Sequence, residues 1–489
     1  MDNNLKIKIS RDLLLKIGGG LVATILIIAI VFSAKFFVSP KTVVAQALNN
    51  SMEGASNPVI ERLGLKETLD SMYTQPRNIS ASFSVDDINN ADFMAYMEGS
   101  GFRLDAATDY RSKKTDADVY LQWGGADLMN FQYYAFDDTI GLSCPDLYEG
   151  YISIDAKNIG QDYTNSVFYN PSAVILQPNQ SITLFGDYVT SSMFEYYKNI
   201  YQEDYDSLIR NITVGNATEV PENAFPDLTT DYSTYKVTIP NEDAQTLVFN
   251  IANFMSDSGN ANADTTLTEF GNNLLEDVVI LVAVDDSNRL VGACYIGTLS
   301  GPDGESEVTS HLTMTGKEDV FSTVYFDLNI DGSSQMPSAL LKRDSSQEGS
   351  VYSDRWNLSY SNAQTGYVPV ELGLTSTYDL DKDSMDFTAG VYDLGQISDY
   401  ILSGTADFSN IAKGESLSVD FSDLVLDSPT DNLSLSFSGD LNINSENVTV
   451  ESPSGEPRPL LVADMDYVQP LIDEISQNLQ NSAIMNAFY

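Results

Sequence analysis

The stretch Ala117-Asp118-Val119-Tyr120-Leu121-Gln122-Trp123 decides the fold, because apolar side chains occupy every second position. A period of two is typical of a β-strand with one buried and one solvated face. The same pattern recurs outward from this stretch, at Ser80–Val85, Phe102–Ala106 and Phe131–Phe136. Short polar or glycine-containing turns separate the four stretches, so together they predict an antiparallel meander.

More strands are predicted toward the C-terminus. Residues 278–284 are apolar without interruption, which is typical of a strand covered on both faces. The other predicted strands are Arg289–Thr298, Ser306–Thr315, Thr323–Ile330, Arg355–Tyr360, Val368–Tyr378, Ser384–Tyr392, Ser416–Phe421, Leu433–Phe437 and Asn447–Val450. Because no long helical crossovers separate them, the sheet is expected to be antiparallel. The predicted fold class is mainly β (α+β), with large curved antiparallel sheets and a few packed amphipathic helices.

Several segments carry apolar side chains at helical spacing instead. The segment 41–75 predicts two helices that form a stalk packed on the main domain. Val44, Ala47, Leu48 and Ser51 follow a helical 3-4 spacing in the first, and Leu63, Leu65, Leu69 and Met72 indicate the second. Two further helices are predicted at 189–209 and 241–255, and a last one, on Val468, Leu471, Ile472, Ile475 and Leu479, follows the linker Pro453–Pro459. We expect the last helix to dock on the sheet.

The N-terminal region predicts a membrane anchor. Residues 17–38 read IGGGLVATILIIAIVFSAKFFV, which is long enough to cross the ~30 Å hydrocarbon layer once. Lys6, Lys8, Arg11 and Lys16 precede this run, and such a basic cluster stays cytoplasmic. A cleaved signal peptide is the alternative, since Ala45-Gln46-Ala47 fits a cleavage site, although it lies well beyond the apolar run. Both interpretations export the main domain.

These patterns predict the domain organisation. It consists of a basic cytoplasmic tail at 1–16, a transmembrane helix at 17–38, a helical stalk at 39–78, a first β-rich half at 79–260 with helices 189–209 and 241–255, a second antiparallel half at 261–452, and a linker with the C-terminal helix at 453–489. The bulk of the chain is therefore expected outside the cell membrane.

The amino-acid composition argues against several classes of function. The formal net charge is -45 over 489 residues, which repels nucleic acid and anionic lipid head groups. A single histidine, His311, argues against zinc chemistry and histidine-based hydrolysis, and it is expected to be a strand residue. Cys144 and Cys294 could form a disulfide outside the membrane or remain buried free thiols. The sequence therefore favours a protein that is not an enzyme.

Two acidic loops match a calcium-binding motif in part. Asp327, Asn329, Asp331 and Gly332 match the opening of a calcium loop, but Ser338 stands where a bidentate glutamate is required. In the second loop, formed by Asp379, Asp381 and Asp383, Ser384 replaces the required glycine. Scattered carboxylates single out no catalytic pair, and no nucleophile or nucleotide-binding motif occurs. No catalytic, cofactor-binding or metal-binding residue is therefore assigned, and no cofactor is expected.

One segment carries a resemblance. Residues 140–145 read IGLSCP and are followed by Asp146-Leu147-Tyr148-Glu149-Gly150 and the strand Tyr151–Ile154. A strand that ends in Pro-x-Leu-aromatic before Gly-Tyr resembles uncharacterised single-pass envelope proteins of anaerobic Gram-positive bacteria. Their curved sheets are similar to the bacterial lipoprotein-carrier architecture. The resemblance covers 40–190 and implies a concave sheet that holds an apolar ligand, but it carries over no functional residue.

The sequence thus predicts a membrane-anchored, extracytoplasmic binding protein of the cell envelope that holds a lipid or other hydrophobic ligand on its sheet. A surface adhesin or scaffold that binds protein or glycan is the alternative, and a hydrolase of envelope polymers ranks last. The expected partners are the membrane itself and a lipid, a glycan or an envelope protein, with no nucleic acid.

Overall fold

The structure is a computed structural model that describes most of the chain after residue 39. The described residues are 40–54, 57–89, 99–170, 201–257, 276–301, 304–316, 322–331, 337–362, 370–393, 400–429 and 433–482, together with 176, 178, 180–182, 184–185, 268 and 271–274. The predicted transmembrane helix at 17–38 and the first half of the helix predicted at 189–209 lie outside these residues.

Strands dominate the described residues, which confirms the mainly β fold class. Twenty strands pair in a largely antiparallel sheet. They are β1 Arg77–Ile88, β2 Ser100–Asp109, β3 Lys114–Trp123, β4 Ala126–Phe136, β5 Thr139–Ser143, β6 Tyr151–Asp155, β7 Thr213–Asn216, β8 Tyr232–Ile239, β9 Val278–Asp285, β10 Leu290–Gly301, β11 Gly304–Thr315, β12 Thr323–Asp331, β13 Pro337–Glu348, β14 Val351–Asn362, β15 Val370–Asp379, β16 Ser384–Asp393, β17 Tyr400–Ala412, β18 Ser416–Ser428, β19 Leu433–Asn444 and β20 Pro457–Pro459.

Helices are few among the described residues. They are α1 Pro40–Gly54, α2 Pro58–Leu63, α3 Leu65–Thr74, α4 Ile159–Asn165, α5 Gln202–Asn211, α6 Asn241–Asp257 and α7 Met465–Gln480.

The chain divides into two compact units that alternate along the sequence. The first unit comprises Met1–Pro58, Ser192–Thr377 and Thr388–Asp399, and the second comprises Val59–Ser191, Tyr378–Phe387 and Tyr400–Tyr489. Each unit is therefore assembled from distant parts of the chain, whereas the two halves predicted from the sequence, 79–260 and 261–452, are contiguous.

In the first unit, a helical layer covers one face of an antiparallel meander that runs in the order β7, β8, β9, β10, β11, β12, β13 and β14. Val44 and Ala47 of α1, Leu208 of α5 and Val248 of α6 pack against Ile280 of β9 in one apolar core. Fully burying a side chain of this size stabilises the fold by about 1.5–3 kcal/mol. Helix α1, predicted as part of a stalk, is therefore part of this core.

The opposite face of the same strands is also covered in part. Val278–Asp285 has buried or half-buried residues throughout, as its uninterrupted apolar sequence predicts. Ala224 and Phe225, from the segment between β7 and β8, pack on this second face against Leu281 and Ala283. Strand β9 is therefore covered on both faces, which confirms that prediction.

In the second unit, the strands run in the order β17, β18, β19, β1, β2, β3, β4, β5, β6 and β20. β20 pairs with β6 in parallel, and every other neighbouring pair in this order is antiparallel. The predicted meander of β1 to β4 is confirmed. A sequence-distant contact holds it in place, because β1 pairs with β19 from Asn78 opposite Asn444 to Ile88 opposite Leu435.

Helices pack at two places on this sheet. Leu63 of α2 packs with Leu417 and Val419 of β18. Leu471 of α7 packs with Met129 of β4 and with Cys144. The predicted docking of the C-terminal helix on the sheet is therefore confirmed.

Some local predictions were wrong. Asn447–Val450 is not a strand, because Asn447 adopts a φ of 51°, which an extended strand does not accommodate. Leu69, one of the apolar positions from which the second helix of segment 41–75 is predicted, is 57 % exposed. Gly64, at a φ of 62°, separates α2 from α3. The single helix predicted there is therefore two helices, and its predicted apolar positions do not form one continuous face.

Candidate ligand-binding surface

A row of large apolar side chains crosses the second unit's sheet. The register places Phe83 of β1 opposite Phe102 of β2, and Phe102 opposite Leu121 of β3. The Phe83 and Phe102 ring centroids lie 5.3 Å apart, within the range of attractive aromatic pairs. On its other side, the Phe83 ring stacks at 6.0 Å on that of Phe421 in β18.

The same face continues onto β4 and β5. Leu121 lies opposite Met129, and Phe131 follows two residues later, so it projects from the same face. Tyr133 in turn lies opposite Leu142 of β5. We call the set Phe83, Phe102, Leu121, Phe131 and Leu142 the apolar strip.

The apolar strip is accessible to solvent. Phe102, Leu121, Phe131 and Leu142 are 39 %, 37 %, 37 % and 39 % exposed, and Phe83 is half-buried. Single exposed apolar residues are common on protein surfaces, but a contiguous patch marks a binding site. On the same face, α2 packs over Val419 of β18, and α7 packs over Met129, which lies opposite Leu121.

The other face of these strands is polar. Arg103 of β2 lies over the Tyr120 ring at 4.0 Å and forms ion pairs with Asp105 at 3.2 Å and Asp127 at 3.4 Å. The Asp118 carboxylate accepts a hydrogen bond from Gln132 at 2.9 Å. The sheet is therefore amphipathic, which makes the apolar strip a feature of one face alone.

One carboxylate on the polar face has a perturbed pKa. Burial raises the pKa of Asp116 above its ordinary value of 3.8, while the backbone N–H of Glu451, donating at 3.0 Å, opposes the shift. The charges of Glu451 and Asp118 add to the increase. Asp116 and Asp118 lie two positions apart on β3 and share a face.

The sole histidine lies in a strand, as predicted. In β11, His311 is opposite Cys294 on one side and Asp327 on the other. Its Nδ1 and the Asp327 Oδ1 are 2.7 Å apart, and Tyr325 donates its hydroxyl to Asp327 Oδ2 at 3.0 Å.

The first calcium candidate is therefore a strand position. Asp327, which with Asn329, Asp331 and Gly332 matches only the opening of a calcium loop, lies within β12, and its carboxylate is held by His311 and Tyr325. Gly332 lies outside the described residues.

In the second acidic loop, the carboxylates of Asp379 and Asp383 also have hydrogen-bond and ion-pair partners within the protein. Asp379 accepts the Asp381 N–H at 3.0 Å and pairs with Lys382 at 2.8 Å. Asp383 receives two hydrogen bonds from Arg62 at 2.8 Å and one from the Tyr378 hydroxyl at 2.9 Å. Within the described part of the chain, no group of three or more histidine, cysteine, aspartate or glutamate residues is arranged to hold a metal ion.

The two cysteines are free thiols. Cys144 of the second unit and Cys294 of the first are 2 % and 1 % exposed. Of the two possibilities that the sequence left open, the structure contains the unpaired one.

The sequence did not assign the apolar strip as a site. The alternation of each strand was visible, and it correctly put Phe102, Leu121 and Phe131 on apolar faces. The missing information was the register, because a shift of one residue in any hairpin would move a member of the strip to the polar face.

Comparisons with known proteins assign no family. No protein-family model matches the sequence, and no curated protein matches it. Among solved structures, a chain titled "TodX monoaromatic hydrocarbon channel deltaS2 mutant" aligns over 83 % of this chain and 93 % of that chain, with 8 % identity and a TM-score of 0.14. A TM-score of this size supports no conclusion on fold or function.

Within the described ranges, no helix has both the length and the apolar character that a membrane crossing requires. The predicted span at 17–38 precedes those ranges.

Proposed function

We propose that the protein is a membrane-anchored, extracytoplasmic binding protein of the cell envelope that holds a lipid or other hydrophobic ligand on the apolar strip. The observation that carries this proposal is the accessible row of Phe102, Leu121, Phe131 and Leu142 on one face of the second unit's sheet. Covering apolar surface with an apolar ligand is favourable by about 25 cal/mol per Å² removed from water.

Two features of the strip support a hydrophobic small molecule. Helices α2 and α7 pack on the same face as the strip, so a ligand would be bordered by Leu63 of α2 and by Leu471 of α7. The aromatic rings of Phe83 and Phe102 offer a broad apolar surface without a charged partner on the same face. The N-terminal apolar run at 17–38 supports attachment to the membrane from which such a ligand would come.

The proposal is tested with the full-length chain. Purified in a non-ionic amphipol and analysed by native mass spectrometry, it is expected to carry a co-purified lipid. Leu121→Gln and Phe102→Gln are expected to lose most of that lipid, since each places an amide in the apolar strip. Leu358→Gln is the matched control, because Leu358 is 40 % exposed on β14 of the first unit.

Two results would contradict the proposal. One is wild-type protein free of lipid that also fails to bind a fluorescent fatty-acid analogue. The other is equal loss of lipid in Leu358→Gln and Leu121→Gln. Capture of an envelope protein or glycan that depends on Leu121, without lipid, would instead assign the strip to the adhesin or scaffold alternative.

A further inference from the structure

A groove in the first unit lies apart from the apolar strip. It has a volume of about 780 Å³ and lies on the second face of the sheet, the one that α1, α5 and α6 do not cover. Its floor is formed by Val279 and Leu281 of β9 and by Ile296 of β10. This volume is within the range of small-molecule sites in proteins.

One wall of the groove is a short arm, residues 218–221, that follows β7. The arm is fixed at both ends. Before it, the Ala217 N–H donates to the Thr234 carbonyl at 3.0 Å; after it, the Ala224 N–H donates to the Pro221 carbonyl at 3.0 Å. Ala224, which is 1 % exposed, then anchors the chain in the core. The groove is therefore pre-formed, which lowers the entropic cost of binding a ligand.

The groove exposes apolar surface. Ile296 on its floor and Val220 on its arm are 39 % and 41 % exposed. The adjacent Cys294 thiol is buried, and burial raises its pKa to about 11, with a further contribution from the charge of Asp327. The thiol next to the floor is thus a neutral, weakly polar group that is compatible with a hydrocarbon chain.

The rim of the groove carries one charge of each sign. Among the described residues that line it, Lys236 is the cation and Glu219 is the carboxylate. Lys236 lies directly opposite Leu281, so its ammonium group stands beside the apolar floor. Within the described part of the chain, Lys236 forms no ion pair.

We propose that this groove binds a single-chain amphiphile with a zwitterionic head group. The hydrocarbon chain lies on Val279, Leu281 and Ile296, the anionic part of the head pairs with Lys236, and the cationic part pairs with Glu219. Charge complementarity favours this class, because a purely anionic head would meet Glu219 and a purely cationic head would leave Lys236 unpaired. The site is independent of the apolar strip, which belongs to the other unit.

The test uses photo-crosslinking of the full-length chain in a non-ionic amphipol. Three diazirine-labelled probes share one alkyl chain and differ in the head group: phosphocholine, sulfate and trimethylammonium. The phosphocholine probe is expected to label the first unit most strongly, with adducts on 218–221 and on β9 or β10. Lys236→Gln and Glu219→Gln are each expected to weaken its labelling about two- to fivefold, as for exposed ion pairs. Ile296→Ser is expected to weaken it further.

Lys157→Gln is the control, because it removes an exposed lysine of the second unit. Unchanged urea midpoints show that each variant is folded. Stronger labelling by the sulfate probe, together with a gain in Glu219→Gln, would overturn the zwitterionic assignment. Adducts outside the groove, or labelling insensitive to both Lys236 and Ile296, would overturn the site itself. A failure of this test would not contradict lipid binding at the apolar strip, because that binding is measured separately with Leu121→Gln.

Discussion

At the scale of single residues, the first unit contains a buried charge network. Arg343 of β13 and Asp354 of β14 are 7 % and 5 % exposed, and the Arg343 Nε donates to the Asp354 Oδ1 at 3.0 Å. Trp356 donates its indole N–H to the same carboxylate at 3.1 Å, and Arg343 donates to the Tyr352 hydroxyl at 2.7 Å. Each charge is thus acceptable only because the other is present.

Removing one member of this pair should be costly. Arg343→Met is expected to lower the free energy of unfolding by about 3–5 kcal/mol, because it leaves the Asp354 carboxylate buried without its cation. Urea denaturation measures the change. The double variant Arg343→Met/Asp354→Leu is expected to recover most of the loss. A single variant as stable as the wild type would show that Asp354 is solvated.

The thiols give a second prediction at this scale. Burial raises the pKa of Cys144 above 9.0, assisted by the charge of Asp146, and raises that of Cys294 to about 11. Native protein at about pH 8 is therefore expected to react with no thiol reagent, since the thiolate is the reactive form. After unfolding without reductant, two thiols are expected to titrate. None titrating would indicate a disulfide.

At the scale of elements, one carboxylate of helix α7 adds hydrogen bonds to the apolar contacts that hold this helix on the second unit. Glu474 accepts a hydrogen bond from Arg458 Nη1 at 2.7 Å and another from the Glu149 N–H at 3.1 Å. The Arg458 hydrogen bond lowers the pKa of Glu474 below 4.5, outweighing burial, and the Glu149 N–H acts in the same direction.

This contact should weaken in acid. Because the folded pKa is depressed, its stabilisation is fully present above pH 4.5 and is lost as the pH falls through the folded pKa. Glu474→Gln is expected to cost about 0.5–1 kcal/mol at about pH 7, since the pair is partly exposed, and a smaller amount at about pH 3, where protonation of Glu474 begins to remove the contact. Urea midpoints at both pH values measure this. Asp473→Asn, which changes the neighbouring charge, is the control; a constant Glu474→Gln deficit would contradict the ion pair.

The elements also show how far a sequence could predict this molecule. Strands with regular alternation, such as β3, were predicted close to their observed bounds. β17 was missed, since bulges between Ser403 and Thr405 and between Ser409 and Ala412 shift its alternation. β13 was missed because its apolar residues are confined to Ala339–Leu341 and a polar run follows. The apolar strip and the groove depend on strand register and on the arm 218–221, which periodicity does not contain.

At the scale of the whole molecule, the predicted orientation places the acidic, β-rich body outside the cell. Protease added to intact cells is therefore expected to digest the chain beyond residue 39, while an epitope tag fused to the N-terminus stays protected. Immunoblotting of both ends measures this. A body that is digested only after lysis would reverse the orientation and remove the envelope proposal.

The pairing of β1 with β19 has a consequence for biogenesis. The side chains of Asn78 and Asn444 are hydrogen-bonded across 366 residues of chain, and the first unit's strands are synthesised between them. Contacts of such sequence separation form slowly, because the entropy of closing the loop must be overcome first. The N-terminal meander is therefore synthesised with an unpaired edge at β1. This edge stays unpaired until β19, Leu433–Asn444, has been synthesised, and an unpaired strand edge is prone to edge-to-edge aggregation until then.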